Sequence, residues 1–261
     1  MYLDRNPAGA GTQGLGMDAC ANPVVEALCR LLLLRVCGGG DWGTSTVCVM
    51  LQAALHALSQ LLRNVAGVAR CLSCETLRLL LECFLCCPLH PRLAPVEEEG
   101  GEEVAQNCGS DEQWMAATLD GLLWHVLNKG LPNRVLAVLI SFLYQSESVN
   151  GSDGPGAKQD SVLAFLTATK SSEAFLDGVL ECLMNMTRLL GDYVDELDVD
   201  MLLLDIHNFL TQHPPSAYRG AEFKPLRLLK TMINELVALK GPAIAQHLTL
   251  VPVDSNPTLC R

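Results

Sequence analysis

The stretch VCVMLQAALHALSQLL, residues 47–62, carries the clearest structural pattern in the chain. Apolar side chains recur at every third or fourth position along it, which places them on one face of a helix. They are Val47, Met50, Leu51, Ala54, Leu55, Leu58, Leu61 and Leu62. We therefore predict an amphipathic helix over residues 46–65 that ends at Gly67.

The same spacing continues on both sides of this stretch. Asn22 is a suitable N-cap and Pro23 suits the first helical position, so we expect the first ordered helix to begin at Asn22 and to end at Gly38. Pro88 should end another helix, because proline interrupts the backbone hydrogen bonds of a helix. The further predicted helices are 73–86, 114–128, 133–145, 160–168, 172–190, 199–212, 224–240 and a short one opened by Pro242.

No segment shows the sustained alternation that is typical of a β-strand, so the sequence predicts an all-α fold of about nine or ten helices. Short breaks join most consecutive helices, which favours antiparallel neighbours. Antiparallel pairs stacked side by side form a HEAT-like α-solenoid.

Composition suggests where this domain begins and ends. Residues 1–21 are rich in glycine and alanine, and we interpret them as a disordered leader or a truncated linker. The HEAT-like helical domain should span residues 22–252, followed by a tail over 253–261. Two polar stretches within it are predicted to be surface loops: an acidic loop over 88–113 and a flexible loop over 146–159.

Charge and composition oppose several classes of function. The net charge of −11 and the sequence pI near 4.9 argue against nucleic acid as a partner, since nucleic-acid binders usually carry a basic stripe. No apolar run is long enough to predict a signal peptide or a membrane span. The twelve cysteines are expected to be buried thiols in a reducing compartment.

Catalytic and cofactor-binding signatures are not found in the sequence. It has no phosphate-binding loop, dinucleotide fingerprint or nucleophile elbow, so we expect neither an enzyme nor a cofactor. Asp205 and His207 stand two residues apart, and on a helix they should point to different sides rather than form an acid–base pair.

One cysteine pattern leaves a metal-binding alternative open. Cys71-x2-Cys74 is followed after eight residues by Cys83-x2-Cys86, with Cys87 and His90 close behind. Paired thiolates of this form bind zinc, although the segment between the pairs has the apolar pattern of a helix interior. A zinc-stabilised helical domain is therefore an alternative to buried thiols on an apolar helix.

The C-terminal third contains an ordered set of four motifs: ECLMNMTRLL at 181–190, LLLDIHNFL at 202–210, FKPLRLLK at 223–230 and LKGPAIAQHL at 239–248. The resemblance that they carry is to the ch-TOG/Minispindles family of microtubule polymerases. It implies the C-terminal part of a large protein whose TOG modules hold tubulin. That part is implied to dock adaptors such as TACC-type coiled coils, with localisation to the cytoplasm and cytoskeleton at spindle poles, centrosome and microtubule plus ends.

Direct binding of tubulin by a divergent TOG module is the alternative function. The tubulin-binding edge of TOG modules combines a Trp with basic residues on successive loops. Here Trp42 lies in a glycine-rich segment, but no run of Lys or Arg follows on the next loops. The resemblance thus favours adaptor docking, with tubulin and microtubules reached through the full-length protein.

The predicted helix over 224–240 offers a candidate surface for such docking. Apolar residues occupy one side of it and polar residues the other. The apolar side holds Leu229, Met232, Ile233, Leu236 and Val237. We name Lys224, Arg227 and Lys230 the basic strip, and it can meet the acidic face of a coiled-coil partner. An ordinary solvated helix face is the alternative interpretation.

Overall fold

The structure is a computed structural model that describes residues 15–37, 45–65, 67–90, 109–145, 161–170, 172–214 and 223–252. These residues form eleven α-helices and two 3-10 helices, and no strand occurs among them. The α-helices are α1 Leu15–Cys37, α2 Ser45–Asn64, α3 Val68–Cys71, α4 Cys74–Cys86, α5 Gly109–Lys129, α6 Pro132–Gln145, α7 Ser161–Lys170, α8 Glu173–Arg188, α9 Leu190–Tyr193, α10 Val199–Gln212 and α11 Lys224–Lys240. The 3-10 helices are Cys87–Leu89 and Gly241–Leu248. The predicted all-α fold is confirmed.

The long helices form two rows. In the first row α1 packs on α4, α4 on α6, and α6 on α10. In the second row α2 packs on α5, and α8 packs on α11. Contacts between α1 and α2, α4 and α5, and α6 and α8 join the rows into a two-layered arrangement, as expected for a HEAT-like solenoid.

One continuous apolar core runs between the rows. It consists mainly of leucine and valine, with four deeply buried phenylalanines, Phe84, Phe142, Phe175 and Phe209. Phe142 and Phe175 meet edge to face at 5.7 Å between ring centroids, which links α6 to α8. Burial of a long helix face on both rows is what stabilises these helices, since isolated helices of this length are marginal in water.

Local signals set several helix ends where the sequence predicts them. The Ser172 hydroxyl accepts a hydrogen bond from the Phe175 amide, so Ser172 caps α8. Ser73 caps α4 in the same manner through the Thr76 amide. Gly67 follows α2 with a φ of 84°, a left-handed conformation that glycine adopts at little cost.

The predicted start of the first helix is wrong. Helix α1 begins at Leu15 and passes through Asn22 and Pro23. Instead of capping, the Asn22 side chain accepts a hydrogen bond from the Ser73 amide at 2.9 Å, and Ala21 is buried in the core. Contacts with the rest of the fold thus stabilise a continuous helix at Asn22, where the local signals predict a helix start. The short helix α3 was also not predicted.

Several predicted segments fall partly or wholly outside the described residues. The ends of the predicted acidic loop are helical, because a 3-10 helix covers Cys87–Leu89 and α5 begins at Gly109. Residues 1–14, 91–108, 146–160 and 253–261 are not described. No helix in the described ranges is long and apolar enough to span a bilayer.

Candidate functional site

Lys224, the first residue of α11, joins that helix to α8. Its ammonium group donates hydrogen bonds to the carboxylates of Asp177 at 2.8 Å and Glu173 at 3.3 Å. These bonds, that to Asp177 first, raise the pKa of Lys224. The charge of Lys224 is therefore partly compensated within the chain, while the ion pairs hold the start of α11 beside the start of α8.

A groove lies between α8 and α11, and we name it the α8–α11 groove. It encloses about 560 Å³. Leu180, Met184 and Leu228 supply its apolar surface; Leu228 is buried and the other two are half-buried. The polar lining residues are Asp177, Glu181, Asn185, Arg188, Lys224, Arg227 and Thr231.

The groove brings together two members of the basic strip and leaves out the third. Lys224 and Arg227 line it, whereas Lys230 is exposed outside the lining. Arg188 on α8 lines the opposite wall, and its guanidinium lies 3.4 Å from the side-chain oxygen of Asn185. Sequence analysis missed Arg188 because its spacing on α8 does not reveal which helix lies beside it.

The apolar side of α11 agrees with the prediction except at its end. Leu229, Met232 and Leu236 are buried and Ile233 is half-buried, but Val237 is 44% exposed. Near Val237 the helix is covered mainly by the following 3-10 helix and by the short helix α9. These elements leave more of the α11 surface open than a full-length neighbour would.

A second groove, the α5–α8 groove, opens on the other side of α8 and encloses about 420 Å³. Helices α5 and α8 both pack on α4 but have at most marginal contact with each other. Apolar side chains from α4, α5 and α8 form most of its lining, and Asp120 and Glu181 supply carboxylates. Burial raises the pKa of the Cys182 thiol to about 12, with further contributions from Glu181 and Asp120.

Asp205 and His207 lie in different environments. His207 is buried, and its backbone carbonyl accepts a hydrogen bond from the Thr211 hydroxyl. Asp205 instead lines a small surface depression beside Asn133, and its carbonyl lies 3.4 Å from the Tyr144 hydroxyl. That the two side chains point to different sides of the helix stays a prediction.

The cysteines of the zinc alternative are divided between environments. Cys74 is exposed at the start of α4, whereas Cys83, Cys86 and Cys87 are buried at its end. A hydrogen bond with Cys29, together with Cys87 and burial, raises the pKa of Cys83. Across the described ranges, no three His, Cys, Asp or Glu side chains are grouped so as to hold a metal ion.

The described residues include none that supports direct binding of tubulin. Trp42 lies outside the described residues, as do the glutamates of the acidic loop at 97–99 and 102–103. The basic residues that line the α8–α11 groove lie on helices rather than on successive loops between helices; they are Arg188, Lys224 and Arg227.

Proteins similar to this chain include two from plants and one from an insect. Protein MOR1 of Arabidopsis thaliana is 44% identical over 89 residues, and Protein MOR1 of rice is 40% identical over 89 residues. Protein mini spindles of Drosophila melanogaster is 29% identical over 83 residues. The matches cover 31 to 33% of this chain and 4% of each relative. They confirm the resemblance to the ch-TOG/Minispindles family over about a third of the chain.

The chain thus spans only a small part of the length of these much larger relatives. No protein-family model matches it. No solved structure matches it either.

Proposed function

We propose that this chain is a non-catalytic docking domain of a microtubule polymerase-family protein, and that it binds an adaptor coiled coil of the TACC type in the α8–α11 groove. One observation carries the proposal. Residues 181–190 and 223–230, two of the segments on which the family resemblance rests, form the opposite walls of this groove. The chain would act in spindle-pole and plus-end microtubule assembly as the attachment point of the adaptor.

The apolar surface of the groove suits a helix as the bound element. Leu180, Met184 and Leu228 form a strip along which the apolar face of an amphipathic helix can lie. A methionine in such a position adapts to partners of different shape, because its side chain is unbranched and flexible.

The charges of the groove favour an acidic partner helix. Lys224, Arg188 and Arg227 give the lining three positive charges, against the two negative charges of Asp177 and Glu181. The lining is therefore locally positive, whereas the whole chain has a net charge of −11. Such a patch fixes the orientation of a partner and raises its association rate more than its final affinity.

Lys224 and Lys230 take different parts in this proposal. Lys224 holds the two helices together and so keeps the groove walls in place. Lys230, exposed on α11 outside the groove, is positioned to contact an acidic residue at the edge of a bound coiled coil. The basic strip therefore contributes through its first two residues in the groove and through its third at the rim.

Gel filtration tests the proposal with two partners in separate runs. The chain is mixed with a TACC-type coiled coil, and in parallel with αβ-tubulin, at low and at physiological salt. We expect co-elution with the coiled coil at both salt concentrations, weaker at the higher one, and no co-elution with tubulin.

The opposite pattern would overturn the docking proposal. Co-elution with tubulin but not with the coiled coil would favour the divergent TOG module. Absence of any complex with the coiled coil at low salt, where charge attraction is strongest, would also contradict it.

A further inference from the structure

The second row of helices is interrupted between α5 and α8. In the first row every neighbouring pair packs closely, and in the second row α2 packs on α5 and α8 packs on α11. Between α5 and α8 the α5–α8 groove opens instead, with the end of α4 beneath it. The groove is lined from residue 116 to 127 on α5 and from 174 to 185 on α8, which corresponds to about 16 Å along each helix.

Small side chains form parts of both walls of this groove. Ala117 and Ala174 form parts of its two walls, and both are exposed. Gly178 brings α8 close to α4, since a Cβ atom there would lie 3.3 Å from the Leu85 side chain. Half-buried Trp124 adds a large apolar surface to the α5 wall. These features allow a helix backbone to approach the apolar floor.

The charges at the rim of this groove are all negative. Asp120 and Glu181 are the charged residues of its lining, and no Lys or Arg lines it. Among the described residues neither carboxylate belongs to an ion pair. Both carboxylates contribute to the raised pKa of Cys182, so both charges act on its thiol.

We infer that the α5–α8 groove binds an amphipathic helix of a partner protein that carries an apolar stripe flanked by Lys or Arg. The apolar stripe, about three turns long, packs on Leu85 and Trp124 and completes the interrupted row. The basic flanks pair with Asp120 and Glu181. This groove shares Glu181 and Asn185 with the α8–α11 groove, but it lies between other helices and has the opposite charge preference, so a different class of partner fits it.

Binding of designed peptides tests the inference. The probe is a fluorescently labelled helical peptide of roughly 15 residues, with leucine at helical spacing and Lys and Arg at the flanking positions. A second peptide keeps the leucines and has Glu at the flanks. Fluorescence anisotropy measures the Kd of each peptide for the full chain, and we expect the basic peptide alone to bind.

Three variants test whether the basic peptide binds in the α5–α8 groove. Ala117→Trp fills the groove from an exposed position and should abolish binding of the basic peptide. Asp120→Lys should weaken it about tenfold, the loss expected for a close interfacial charge pair. Glu235→Lys makes the same charge change on α11, away from this groove, and should leave the Kd within about twofold of the wild-type value. Circular dichroism checks that each variant is folded.

Several outcomes would overturn the inference. They are failure of the basic peptide to bind, equal binding of the acidic peptide, or unchanged binding to folded Ala117→Trp. Equal weakening by Asp120→Lys and Glu235→Lys would show a general charge effect rather than a site.

Discussion

Arg188 and Arg227 come from different helices and line the same groove. Arg188 ends α8 and Arg227 lies in the first turn of α11, with the apolar surface of Met184 and Leu228 between the two helices. Both guanidinium groups lie on the exposed side of their helices. Charges in such exposed positions contribute little to the stability of the fold.

Reversal of these two charges should weaken adaptor binding. We expect Arg188→Glu/Arg227→Glu to raise the Kd for the coiled coil about tenfold or more, mainly by slowing association, because charges at the rim of an interface steer encounter. The effect should shrink as salt increases. Surface plasmon resonance at several salt concentrations measures both rates.

Lys129→Glu is the matched control for this pair. Lys129 is an exposed basic residue at the end of α5, outside both grooves. An equal loss of affinity in this variant would assign the effect to net charge and would argue against the α8–α11 groove.

Cys182 and Cys74 should differ in reactivity. Cys182 is buried, and burial with the nearby negative charges raises its pKa to about 12, so its reactive thiolate is scarce at pH 8. Cys74 is exposed. We expect iodoacetamide to label Cys74 and to spare Cys182 in the native protein, with both labelled in urea. Peptide mass spectrometry measures the extent, and rapid native labelling of Cys182 would contradict the described burial.

At the scale of helices, most elements were predictable from apolar spacing and caps. Ranges such as 199–212 and 224–240 match the helices of the structure, because their apolar faces are clear and their ends coincide with local signals. Helix α1 departs from this rule. The capping signal at Asn22 is local, whereas the contact of its side chain with Ser73 depends on how α1 and α4 pack, which apolar spacing does not specify.

The ion pair between Glu82 and Lys170 joins α4 to α7. Lys170 lies 2.6 Å from the Glu82 carboxylate, and both side chains are largely buried. Lys170→Met leaves a carboxylate without its partner in a largely apolar place. Loss of one partner of a fully buried pair costs about 3–5 kcal/mol, so for this partly exposed pair we expect a loss of roughly 1–3 kcal/mol in the free energy of unfolding.

Urea denaturation measures this loss. The double variant Glu82→Met/Lys170→Met should recover most of it, because it removes both charges and keeps apolar volume at the site. A double variant as unstable as the single one would show that the lysine acts through packing rather than through charge.

The contact between Asp200 and His247 attaches the last 3-10 helix to α10. The Asp200 carboxylate lies 2.9 Å from the His247 ring and also accepts a hydrogen bond from Thr249. The hydrogen bond with His247, more than any other interaction, lowers the pKa of Asp200. A lowered carboxyl pKa means that the stabilisation is present above about pH 3.9 and is lost as pH falls through the lower folded value.

Thermal denaturation of Asp200→Asn tests this attachment. We expect the variant to melt below the wild-type protein at pH 5. The difference should shrink as pH falls through the lowered pKa of Asp200, where the wild-type carboxylate becomes protonated. A difference in Tm that stays the same at low pH would contradict the assigned role of the carboxylate.

At the scale of the whole molecule, α8 separates two grooves of different character. The α8–α11 groove lies between α8 and α11, the α5–α8 groove lies between α8 and α5, and Glu181 and Asn185 of α8 line both. The all-α solenoid was predictable from periodicity, but the grooves were not. Each groove is formed by helices distant in sequence, and a helical pattern does not reveal where two neighbours in a row fail to touch.

A photo-crosslinking measurement tests the central claim most directly. The photoreactive residue p-benzoylphenylalanine replaces Met184 in the α8–α11 groove, Ala117 in the α5–α8 groove, or Lys129 outside both grooves. Each protein is irradiated with the TACC-type coiled coil, and the crosslinked product is quantified by mass. The proposed docking predicts a crosslink from position 184 that is much stronger than from 117 or 129. Equal yields at the three positions, or a stronger yield at 117 or 129, would contradict it.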